Sequence, residues 1–91
     1  MDKKKRKHIY FSGRVQGVGF RYMAMHFAEA YGLTGWVDNL WDGRVEMEGQ
    51  GEESSIFHML TSLESGTFIR IDDCQISNIP SVEDEYYFIV K

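Results

Sequence analysis

Between an apolar stretch, His8-Ile9-Tyr10-Phe11-Ser12, and a patterned one that begins at Phe20 lies Gly13-Arg14-Val15-Gln16-Gly17-Val18-Gly19, with glycine at three of seven positions. Glycine lets successive backbone N–H groups curl inward, and a helix starting at Phe20 adds the partial positive charge of its N-terminus. The combination is an anion cradle. Arg21 follows two positions after Gly19 and falls off the apolar stripe that starts with Phe20. Its planar guanidinium can therefore turn toward the loop and pair with a phosphate through two N–H groups at once. A plain glycine-rich turn beside a surface arginine fits the same residues. Two nucleotide-binding motifs are excluded: no Gly-Lys-Ser/Thr closes the loop, and Tyr22 stands where a dinucleotide fingerprint needs its last glycine. Further along, Asn39 precedes a hairpin signal, Asp42-Gly43, where asparagine commonly bonds nearby backbone.

These residues need elements to carry them. His8 to Ser12 is β-branched and aromatic enough for a strand. Phe20, Met23, Ala24, Phe27, Ala28 and Tyr31 recur at helical spacing, and Gly32 supplies the residue expected just past a helix end. Leu33 to Asn39 and Arg44 to Gly49 read as a strand pair. A second helical period, Ile56, Met59, Leu60 and Leu63, follows the acidic Glu52 and Glu53 that suit a helix N-terminus, and ends at Gly66. Phe68 to about Ile79 reads as a fourth strand, and after Pro80 and the acidic Glu83-Asp84-Glu85, Tyr86 to Val90 makes a short last one. The order is β-α-β-β-α-β with an extra C-terminal strand. It predicts an α+β, ferredoxin-like α/β sandwich, with two helices on one face of a mostly antiparallel sheet. Such a fold hosts many functions, so the residues must decide.

Gly13 through Arg21, then Gly32-Leu33-Thr34-Gly35-Trp36-Val37-Asp38-Asn39, then Asp42-Gly43-Arg44-Val45-Glu46, together resemble the acylphosphatase family. The likeness extends over nearly the whole chain in length and element order. It implies hydrolysis of a small-molecule acyl phosphate to a carboxylate and inorganic phosphate, without a metal or organic cofactor, with inorganic phosphate as product and competitive inhibitor. By position, Arg21 resembles the family's phosphate-binding arginine and Asn39 the asparagine that holds the attacking water. The backbone amides of Val15, Gln16, Gly17, Val18, Gly19 and Phe20 correspond to its phosphate cradle. Such a reaction asks for few groups. The departing carboxylate has a conjugate acid of pKa near ~4, so no general acid is needed. Positioning and charge stabilisation then carry most of the catalysis.

The remaining residues fit ordinary roles. His8, His26 and His58 lack metal-ligand spacing, Cys74 has no paired histidine, and Glu46 and Glu48 share the solvated side of a strand. A chain of 91 residues, 43% hydrophobic and 26% charged, fits one self-sufficient domain. No run suggests a membrane span or secretory signal and Cys74 is the lone cysteine, so a cytoplasmic location is expected; a monomer is expected as well. Net charge is −4, but residues 1–7 hold 5 of the 10 basic and 1 of the 14 acidic side chains, leaving the rest at −8. So acidic a body makes nucleic acid an unsuitable partner. The expected division is a basic disordered tail, residues 1–7, followed by an acylphosphatase-like domain, residues 8–91.

Overall fold

The computed structural model describes residues 4–91. Both helical periods form helices with the expected faces inward. The first helix, α1 (Phe20–Ala30), buries Phe20, Ala24 and Ala28, with Met23 and Phe27 packed at the edge of the same core. The second, α2 (Glu53–Glu64), buries Ile56, Met59, Leu60 and Leu63. Gly32 has a φ of +72° and follows α1, where the N–H of Leu33 reaches back to the carbonyl of Ala28 at 2.7 Å and closes the helix end.

Five strands make one sheet: β1 (Lys5–Arg14), β2 (Thr34–Asn39), β3 (Val45–Gly51), β4 (Arg70–Ile79) and β5 (Phe88–Val90), in the order β4-β1-β3-β2-β5. All pairs are antiparallel except β2 with β5. Alternate residues of the strands, among them Ile9, Phe11, Val37, Val45 and Met47, join both helices in one core, so α1 and α2 cover the same face. This is the ferredoxin-like sandwich expected from the element order. The last strand is shorter than expected. Its register with β2 covers Gly35–Phe88, Trp36–Ile89 and Val37–Val90, so Tyr86 and Tyr87 precede the strand with exposed side chains, and only the Tyr87 carbonyl reaches β2, accepting from Gly35 N–H.

The basic tail requires a correction. Met1 to Lys3 lie outside the described residues, but β1 begins at Lys5, and Arg6 and Lys7 are only 4% and 5% exposed. Alternation sends the two side chains to opposite faces. Arg6 lies on the open face, where its Nε donates to Glu48 at 2.7 Å and its two terminal nitrogens donate to Glu85 at 2.8 and 3.2 Å. Its Nη1 also donates to the side-chain oxygen of Gln50 at 3.1 Å. Lys7 points to the helical face, where its ammonium meets Glu53 of α2 at 2.7 Å and the side chain of Asn78. These charges are fastened parts of the sheet rather than a solvated tail, because each finds an acidic or amide partner brought in by the fold.

Candidate active site

The loop between β1 and α1 is held at several points. The side chain of Val15 is buried in the core and that of Val18 packs against it. Gln16 turns the other way: its amide nitrogen donates to the carbonyls of Leu40 at 2.7 Å and Arg44 at 2.8 Å, tying the loop to the β2–β3 turn. Gly17 and Gly19 take left-handed conformations, with φ of +71° and +80°, that let the chain curl and then enter α1. The N-terminus of α1 has no side-chain cap and no acidic residue in its first turn. Its leading amides and dipole are therefore left to attract an anion.

The β2–β3 turn is stiff in its own right. Leu40 N–H bonds the Arg44 carbonyl at 2.8 Å, and Asp42 accepts from the backbone N–H of Arg44 at 3.2 Å and from its Nε at 2.8 Å. The backbone N–H and then the side chain of Arg44 hold the Asp42 carboxyl below the usual carboxylate range. Asn39, the last residue of β2, stands opposite Val45 at the base of this turn. Its Oδ1 is buried without a hydrogen-bond partner.

A cavity of about 160 Å³ lies where loop, helix and strand meet, lined by Val15, Gly17, Gly19, Phe20, Arg21, Tyr22 and Asn39. The structure thus gathers Arg21, Asn39 and four of the six cradle residues expected from the sequence. Gln16 and Val18 do not line the cavity; their side chains brace the loop from either side. Tyr22 was not singled out for the site, and neither was Lys91, whose main-chain oxygen accepts a hydrogen bond from Arg21 Nη1 at 2.5 Å.

Other candidates are engaged elsewhere. His8 Nε2 lies 2.7 Å from Glu46, and the rings of His26 and His58 pack beside Phe27 and Tyr31. Cys74 is half-buried in β4, and burial, with the charges of Glu64 and Asp73, raises its thiol pKa away from reactivity. No group of three or more His, Cys, Asp or Glu side chains suited to a metal exists among the described residues. No helix among them is long and apolar enough to cross a membrane.

The ferredoxin-like frame thus brings an uncapped helix N-terminus, a left-handed glycine loop and an arginine to one small cavity, groups of the kind that attract an anion. The comparisons with known proteins make that chemistry specific. The acylphosphatase family model matches residues 7–90. An acylphosphatase of Geobacillus kaustophilus is 56% identical over 85 residues, covering 92% of this chain and 90% of its own. One of Geobacillus thermodenitrificans is 47% identical over the same shares of the two chains. The crystal structure of the acylphosphatase from Bacillus subtilis superposes with a TM-score of 0.88 at 34% identity, covering 96% of this chain and 98% of that one. The chain belongs to the acylphosphatase family, and it is an enzyme of that kind.

Proposed function

We propose that the enzyme hydrolyses a small acyl phosphate by direct attack of water on phosphorus, with Arg21 and the loop amides holding the phosphoryl group and Asn39 holding the water. The observation that carries this reading is the Asn39 side-chain oxygen, buried and unpartnered in the same cavity as Arg21 and the start of α1. A buried acceptor without a partner is costly, and a water donating to it would satisfy it. That bond leaves a lone pair of the water free to attack.

Each remaining demand of the reaction has a residue. The amides of Val15 through Phe20 and the field of α1 are preorganised for the equatorial phosphoryl oxygens, where charge must be stabilised. Arg21 adds a full positive charge, and its bond to Lys91 fixes the direction of the side chain. The carboxylate leaves without a proton donor, because it is already a weak base. The products are a carboxylate and inorganic phosphate, and the latter competes for the same cradle.

The test is phosphate release from benzoyl phosphate in water enriched in oxygen-18, with and without a strong chelator. Attack at phosphorus places the label in inorganic phosphate. Label found in benzoate would show attack at the carbonyl carbon and remove the role given to Asn39. Turnover abolished by chelator and restored by magnesium would show that Arg21 and the amides do not suffice.

A further inference from the structure

A phosphate cradle leaves open what the enzyme does with the other half of its substrate. The answer lies in the composition of the cavity wall. Val15 and Phe20 are buried in the core, Gly17 and Gly19 have no side chain, and Arg21 and Asn39 present polar groups. Tyr22 is the one residue of the lining that offers an exposed apolar surface, the residue being 62% exposed. It lies two positions into α1, about 200° around the helix from Phe20 at 100° per residue, and so turns away from the Phe20, Ala24 and Ala28 stripe. No core contact explains an aromatic ring there, and no ring pairing or hydrogen bond holds it among the described residues.

The geometry points to Tyr22 as the acyl-group contact, a specificity-determining residue that favours acyl phosphates with a flat or bulky apolar acyl group over short ones. This rests on the acyl phosphate reading above. An acyl group attached to a phosphoryl group seated on the loop has to leave the cavity by its mouth. The apolar surface it meets there is the Tyr22 ring, which an aromatic acyl group can cover by offset stacking. The phenol hydroxyl is not needed for such a contact. Trp41, 97% exposed at the tip of the β2–β3 turn, is a larger aromatic nearby in sequence to Asn39, but it does not line the cavity.

The experiment compares benzoyl phosphate with acetyl phosphate for the native enzyme and for Tyr22→Ala, Tyr22→Phe and Trp41→Ala. In Tyr22→Ala, KM for benzoyl phosphate should rise about three- to tenfold, the scale of one lost aromatic contact, while KM for acetyl phosphate changes less than about twofold. kcat and the inhibition constant for inorganic phosphate should be unchanged, because the contact is made equally in bound and transition states. Tyr22→Phe should keep the native preference, and so should Trp41→Ala. Equal losses for both substrates in Tyr22→Ala would show a merely structural role. An unaltered preference in that variant, or a preference lost in Trp41→Ala instead, would overturn the assignment of Tyr22 alone. A native enzyme that releases phosphate from neither substrate would overturn the acyl phosphate reading itself, and the role of Tyr22 with it.

Discussion

Arg21 donates from Nη1 to the main-chain oxygen of Lys91 at 2.5 Å, a bond between residues 70 positions apart. Lys91 is itself held in place. Its N–H donates to the carbonyl of Val37 at 2.9 Å, and its ammonium lies over the Trp36 ring, 4.0 Å from the centroid. The parallel pairing of β5 with β2 thus delivers a hydrogen-bond acceptor to the start of α1.

Removing Lys91 should therefore loosen Arg21 without touching the loop. Inhibition by inorganic phosphate is expected to weaken about three- to tenfold, the scale of one lost positioning hydrogen bond, with a parallel fall in kcat/KM. Inhibition assays on the shortened chain, beside its melting temperature, check this. Unchanged inhibition in a folded protein would mean that Arg21 is positioned by something else.

Arg6 should matter for stability and little for catalysis, since it sits at the opposite end of β1 from the glycine loop. Arg6→Met leaves Glu48 and Glu85 facing each other without their shared cation. The expected loss is roughly 2–4 kcal/mol of unfolding free energy, somewhat less than for breaking a fully buried ion pair from one side because Glu48 and Glu85 are partly exposed. Urea unfolding measures it, and turnover per folded molecule should be preserved. Deleting residues 1–7 removes Arg6 and Lys7 together and should destabilise the fold at least as much, contrary to what a solvated tail would do.

The same cluster gives a pH dependence. Burial pushes the Glu85 carboxyl up, but hydrogen bonds from Arg6 and Thr34 and the charge of Arg6 outweigh it and leave the pKa below the usual glutamate value. The Lys7 hydrogen bond, then its charge, lowers Glu53 in the same direction. With folded values below the unfolded one, the unfolded chain takes up protons first as pH falls. The stabilisation is complete above the unfolded glutamate pKa of about 4.3 and is lost as pH drops through the folded values. Unfolding free energy should thus be steady from neutral pH down to about 5 and fall steeply below about 4.5. In Arg6→Met burial is opposed only by the Thr34 hydrogen bond, so the Glu85 pKa is lowered less or not at all and that acid limb should be shallower. A limb of equal steepness in both proteins would show that the Arg6–Glu85 pair does not contribute.

Much of this architecture was legible because it is local. The Phe20, Ala24, Ala28 and Ile56, Met59, Leu60, Leu63 stripes are periodic within one element, and period alone says which face is buried. The glycine loop carried its chemistry in its own composition. What was illegible depends on long-range partners. Arg6 reads as a solvated charge until Glu48 and Glu85, 42 and 79 positions away, are brought beside it. The approach of Asn39 to the loop, likewise, follows from the Gln16 bonds to Leu40 and Arg44, which no spacing announces. Tyr22 had a weak signal, an aromatic residue beside the site arginine and off the apolar stripe.

The last prediction separates Arg21 from Asn39 by role. On the proposed mechanism Arg21 would hold the phosphoryl group in both bound and transition states, so Arg21→Ala should weaken phosphate inhibition and also depress turnover. Asn39 would act on the water, which matters only in the chemical step. Asn39→Ala should lose roughly 10²-fold or more in kcat, as when one preorganised group is removed from a transition state, while phosphate inhibition stays nearly constant. If Asn39 served only to shape the turn, its replacement would lower the melting temperature and preserve turnover per folded molecule. The structure argues against that alternative. The turn is held by Leu40 to Arg44, Gly43 to Leu40, and Asp42 to Arg44, and is braced by Gln16 from outside. The Asn39 side-chain oxygen takes part in none of these bonds, so its removal takes no hydrogen bond from the fold. Melting temperature should therefore hold within a few degrees, consistent with a change of well under about 1 kcal/mol. An Asn39→Ala enzyme that melts normally and turns over normally would take Asn39 out of the mechanism.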